Sequence, residues 1–168
     1  MAELRALLLG LGHDRVATLL NSGNAVFHAA GGSPARHAAV VADAIAQRLK
    51  LDVPVVVKSA KELAAIVAEN ALGEAAADPK RLIVAFTQDA TSLRRLADIK
   101  PLVMPPERFV VGRNAAYLYC ASGILESKAG AALLGKAGRS ATTRNWTTVL
   151  KLHALASAAP KNQLAERS

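Results

Sequence analysis

Leu4, Leu7, Leu8 and Leu11 recur at three- and four-residue spacing, which predicts an amphipathic helix over residues 2–11, ended by Gly12. Two short apolar runs, Val16 to Leu20 and Ala25 to Phe27, flank Asn21-Ser22-Gly23-Asn24. Residues of those types tolerate positive φ and bond locally, so the segment reads as two antiparallel strands joined by a tight turn. Ser33 has the position of an N-cap with Pro34 in the first helical place, and the helix so opened runs to about Lys50. Val53 to Val57 reads as a strand. Ser59 and Glu62 stand three apart, the spacing of a capping box, and open a helix to about Asn70.

The same order begins again after the Ala-rich connector that ends at Asp78-Pro79. Leu82 to Phe86 reads as a strand and Thr91 to Ile99 as a helix; Pro101, Pro105 and Pro106 then break the chain. Arg108 to Val111 and Ala115 to Ala121 flank Gly112-Arg113-Asn114, a second hairpin. Residues 126–136 read as helical. Thr142 or Thr143 is the expected cap of a last helix reaching about Ala158, with Trp146, Val149, Leu150 and His153 on one face. Pro160 onward reads as frayed. The result is an α+β chain of two similar units, 1–72 with its connecting helix and 78–160.

Composition leaves this picture intact: of 168 residues, 52% are apolar and 20% charged. The apolar stretches are far shorter than the ~18 residues of a membrane helix, and the first turn holds Glu3 and Arg5 rather than a secretory leader, so a cytoplasmic address is expected. Cys120 is the single cysteine and reads as a small apolar residue of a strand. Charge is uneven. Residues 1–84 carry nine Lys/Arg against eight Asp/Glu, and residues 85–168 twelve against five, so +7 of the net +8 lies in the second half. A phosphate-bearing partner selects such a surface, although ordinary solvated surface charge is the favoured explanation.

Few residues carry chemistry. His13, His28, His37 and His153 are scattered without ligand spacing, so neither a metal site nor a cofactor is expected. Ser22 is explained by its turn, and Glu126, Ser127 and Lys128 point apart on a helix. Arg144 and Asn145 differ, since neither is needed to cap or bury a helix, and a guanidinium beside free amides at a helix start suits a carboxylate or phosphate. The alternative is that Arg144 fastens the last helix to its neighbour. Tyr117 and Tyr119 share one face of a strand near Arg113, as in sheets that stack bases. Thr142, Thr143, Arg144, Asn145, Arg113, Tyr117 and Tyr119 are therefore the candidate anion- or ligand-binding residues.

Leu20-Asn-Ser-Gly-Asn24-Ala-Val-Phe27, Gly123 through Lys128, and Thr142-Thr-Arg-Asn-Trp-Thr-Thr-Val-Leu-Lys-Leu152 resemble landmarks of the bacterial domain-of-unknown-function 1697 family. The resemblance implies two ferredoxin-like alpha-beta plait units in tandem and no established activity. It also exposes a departure: the family pattern begins with a hydrophobic strand and an Arg-Gly-Ile-Asn-Val-Gly-Gly loop ahead of the helix that here starts at Met1. The first unit is thus expected to lack an interior strand. A late start site is the favoured explanation; direct pairing of Ala25 to Phe27 with Val53 to Val57, or a strand donated by a partner chain, are the others. Three function classes follow: a module binding nucleic acid or another polyanion through the basic half, an enzyme or binder of a small phosphorylated or carboxylated ligand between the units, and a structural or interaction protein. No membrane partner is expected, and an oligomer follows if an edge strand is left unpaired.

Overall fold

The structure, a computed structural model, describes residues 1–74 and 76–158. Helix α1 (Ala2–Gly10) leads into a two-stranded antiparallel sheet, β1 (Asp14–Leu19) and β2 (Asn24–His28), in which Leu19 faces Asn24 across the turn. Gly23 sits in that turn at φ 74°, a conformation that a side chain would strain. α2 (Pro34–Leu49) begins as expected, Ser33 Oγ accepting from Arg36 N. Leu7 and Leu8 of α1, Val16 of β1, and Val41, Ala44 and Ile45 of α2 form one small core, with Ala25, Phe27 and Val55 packed against it. α3 (Ala60–Glu69) carries the full capping box between Ser59 and Glu62.

The second half contains β3 (Leu82–Thr87), α4 (Ala90–Arg95) running into a 3-10 segment (Leu96–Leu102), β4 (Arg108–Val111), β5 (Ala116–Tyr119), α5 (Lys128–Leu134), β6 (Ala141–Asn145) and α6 (Trp146–Ser157). Its four strands form an antiparallel sheet in the order β4-β5-β3-β6, and β3 is laddered on both edges, to β5 and to β6. One face is covered by Leu93, Leu96, Ile99, Ala129 and Leu133, the other by Leu63 and Ile66 of α3 with Trp146 and Val149 of α6. All six β3 residues are consequently buried, which is why Leu-Ile-Val-Ala-Phe-Thr shows no polar alternation. The α+β class with antiparallel hairpins holds. Among the described residues no helix is long and apolar enough to cross a membrane.

Three expectations are corrected. Residues 53–57 form no strand, because among the described residues neither β2 nor any other strand ladders with them. Direct pairing with Ala25–Phe27 is excluded by the same topology. Thr142 and Thr143 do not cap a helix: they lie in β6, a strand that went unread because Ala-Thr-Thr-Arg-Asn has no apolar run, and they ladder with Phe86 and Ala85. The last helix therefore begins at Trp146, four residues after the expected cap. The expected fraying from Pro160 lies outside the described residues.

Glu69, at the C-terminal end of α3, fastens that helix to the β4–β5 hairpin. Its carboxylate accepts from Asn114 N at 2.9 Å, Arg113 N and Ala115 N at 3.2 Å, and Asn114 Nδ2 at 2.9 Å, while the Tyr117 hydroxyl reaches it at 2.9 Å and Ile66 O at 2.7 Å. Gly112 makes room, since a Cβ there would lie 2.5 Å from Glu69 Oε1. Burial pushes the Glu69 carboxyl up, yet the bonds from Asn114, Tyr117 and Arg113 prevail and hold it below the ordinary glutamate range. The stability this gives is present above the unfolded-state pKa and is lost as pH falls through the lowered folded value. Glu69→Gln should cost roughly 1–3 kcal/mol in urea denaturation at pH 7, with the deficit shrinking toward acid pH. A deficit that stays constant with pH would show that the charge is not what holds the hairpin.

Candidate functional site

A cleft of about 680 Å³ lies between β2 and the segment 53–57. Leu4 and Leu8 of α1 with Val41 and Ile45 of α2 line it on one side, and Phe86, Leu152 and Ala156 of the second half on the other. Val55 joins the α1–α2 core while its neighbour Val56 packs against the second-half core, the opposite-facing alternation of a β-strand. Its backbone is nevertheless almost unused: among the described residues, Val57 N donating to Gln88 Oε1 at 2.9 Å is the one hydrogen bond it makes.

Thr142 and Arg144 also line the cleft, placed there because alternate residues of β6 share a face. The Arg144 guanidinium donates through Nε to Asn24 Oδ1, through Nη1 to Thr142 Oγ1 at 2.8 Å and to Thr143 O at 2.6 Å, and through Nη2 to Ser22 O at 3.1 Å. Four of its five N–H groups are thus engaged, all by neutral oxygens. Among the described residues no carboxylate lies within ion-pair distance of it. Burial pushes its pKa below the ordinary arginine value without removing the charge at neutral pH.

The other candidate residues are dispersed. Asn145 is the N-cap of α6, accepting from Thr148 N at 2.9 Å, so the helix start is closed by the very residue expected to be free of that duty. Thr143 offers its carbonyl to Arg144. Tyr117 is buried under α3 and bonded to Ile66 and Glu69, which rules it out as an exposed stacking platform; burial first, and then Glu69, drives its pKa far above the ordinary tyrosine value. Tyr119 is half-buried against the same core. Arg113 is exposed on the β4–β5 turn, on another element from Arg144.

A further cluster had no sequence signal, because its members lie on three separate segments: the α1–β1 link, β2 and α2. The His13 ring stacks on Phe27 with centroids 4.3 Å apart and meets His37 edge-on at 5.1 Å. His13 Nε2 is buried without a hydrogen-bond partner, and burial, then the nearby His37, pushes its pKa down. His37 and Phe27 reach the cleft, His37 Nε2 sitting 2.8 Å from Gly31 O. Among the described residues no three His, Cys, Asp or Glu side chains gather into a metal-holding group. Lys58, also half-buried at the cleft, was likewise not singled out.

The family model described as protein of unknown function DUF1697 matches residues 1–117. The fold is similar to that of the conserved bacterial protein SP0830 from Streptococcus pneumoniae, with a TM-score of 0.76 at 22% identity over 93% of this chain and 88% of that one. No curated protein matches the sequence.

Arg144 joins β6 to the β1–β2 turn, and Asn145 closes α6, so both have structural duties that can be separated. Asn145→Ala should cost about 1 kcal/mol of stability, the usual worth of an N-cap. Arg144→Ala leaves Asn24 and Ser22 without their donor and should cost roughly 1–3 kcal/mol. Urea denaturation reads both, and an unchanged midpoint for Arg144→Ala would show that the guanidinium does not tether the turn.

Proposed function

The chain belongs to the DUF1697 family of proteins of unknown function, and within that family we propose that it is a binding module for a small ligand with an apolar body and a carboxylate or phosphate head. The body lies in the cleft, and the head meets Arg144 and Thr142. One observation carries this reading: a half-buried guanidinium lines the cleft of about 680 Å³ and, among the described residues, is bonded by neutral oxygens alone. Burying a charge without a counter-ion is costly, and an anion arriving there recovers part of that cost. One Nη2 N–H remains to donate. Thr142 Oγ1, which accepts from Arg144, keeps its own hydroxyl proton, so two donors stand ready for two oxygens of one head group.

Binding suits the cleft better than catalysis. Ser22 Oγ accepts from Asn24 Nδ2 at 2.9 Å, Ser59 Oγ serves the α3 cap, and His37 is engaged with Gly31. These lining hydroxyls therefore do structural work rather than face a base. Titration calorimetry with octanoate, octyl phosphate and octanol tests the reading. The two anions should bind at least about tenfold tighter than the alcohol, a gap of roughly 1.4 kcal/mol, and Thr142→Val with Arg144→Gln should close it. Equal affinity for octanol would refute the anionic head.

A second reading, a surface for nucleic acid, is favoured by the +7 excess in residues 85–168 together with the exposed Arg113. Tyr117 takes no part in it, being buried. Fluorescence anisotropy against single-stranded RNA and duplex DNA should then show binding that falls steeply between low and near-physiological salt and weakens in Arg113→Ala. Absence of binding at low salt would reduce the charge excess to solvated surface.

A further inference from the structure

We propose that β4 is the contact strand of a twofold dimer, pairing antiparallel with β4 of a second copy of this chain. β4 ends the order β4-β5-β3-β6, and its one ladder is to β5. Gly112 N donates to Ala115 O and closes the hairpin. Ladder bonds alternate along an antiparallel pair, so the backbone groups of Gly112, Val110 and Arg108 turn toward β5 while those of Phe109 and Val111 turn outward. Among the described residues no second strand ladders to that outer row. Lys and Pro are the usual guards of such an edge. Phe109-Val110-Val111 carries neither, and Val110 at its middle is 37% exposed.

The backbone selects one register. Across a twofold axis, a residue that faces a second residue is itself faced by that residue's counterpart. With Phe109 opposite Val111 of the second copy, and Val111 opposite its Phe109, every outward N–H and C=O of both strands finds a partner. Sliding the strands by one period would instead turn them to Glu107 or to Arg113. Both of those N–H groups are already spent, on Met104 O at 2.8 Å and on Glu69 Oε2 at 3.2 Å.

Side chains agree with this register. Val110 meets Val110 of the second copy at the axis, in the non-bonded kind of pair where side chains approach closest. Arg108 lies opposite Gly112, which has no side chain to collide with it. Just beyond the strand ends, Glu107 stands opposite Arg113 on both sides of the axis. Among the described residues neither has an ion-pair partner within its own chain. The edge is thus self-complementary in hydrogen bonding, shape and charge, and a contact of so few residues is a transient one.

Sedimentation equilibrium of the whole chain, from about 10 µM to about 1 mM, should show monomer and dimer in exchange. Over the same range amide exchange should slow about threefold or more at Phe109 and Val111, while Arg108 and Val110, already laddered to β5, keep their rates. Val110→Lys sets two ammonium groups face to face and should abolish the dimer. Arg113→Glu should raise its dissociation constant at least about tenfold, and adding Glu107→Arg should restore it. A monomer throughout, with exchange at Phe109 and Val111 independent of concentration, would overturn the proposal. Slow exchange at these two amides even in dilute solution would overturn it too, since another segment of the same chain would then cover β4. A dimer indifferent to Val110→Lys would overturn β4 as the contact strand. One that Val110→Lys breaks but the charge exchange leaves unmoved would overturn the register.

Discussion

The need of a buried strand to satisfy the backbone on both of its edges governs this molecule. β3 meets it completely, with β5 on one side and β6 on the other and helices over both faces, so all six of its residues are buried. Everything else in that half is placed by β3. The β4–β5 hairpin is ranked beside it, and β6 pairs along it despite a sequence with little strand character. In the first half the same constraint goes unmet. Residues 53–57 send one valine to each core and, among the described residues, ladder with no strand.

Arg144 ties the two halves across the cleft. Its bonds run from β6 to the turn between β1 and β2, so a residue of the well-ordered sheet fixes the position of the less complete one. A guanidinium is suited to the task because its planar fork reaches several oxygens in different directions. The same bonds leave its charge uncompensated. Holding the turn and attracting an anion are therefore not rival roles for this side chain, since the first positions it for the second. Asn145, one residue on, points the opposite way from its neighbour and spends its amide oxygen on the helix that follows.

Much of the local structure could be read in the chain because it is written in local chemistry. Ser33 and Pro34, Ser59 and Glu62, and the Asn21 to Asn24 turn each specify their element through bonds spanning a few residues. The same kind of reading failed at Thr142 and Thr143, where hydroxyls that look like helix caps were drawn into a ladder with β3, a partner about sixty residues away in sequence. It failed at Tyr117 as well. Alternation in a strand shows which residues share a face, but not whether helices come to cover that face, and here α3 and Glu69 do.

By itself, then, the sequence determined most of the helices, the caps at Ser33 and Ser59, both hairpins and the α+β character, because each depends on periodicity or on side chains reaching their own backbone. The tertiary structure alone decided the rest: that 53–57 ladders with no strand among the described residues, that Arg144 bonds to a turn some 120 positions earlier, and that His13, Phe27 and His37 meet. These are long-range matters, settled by which backbone edges and faces find partners once the chain has closed on itself.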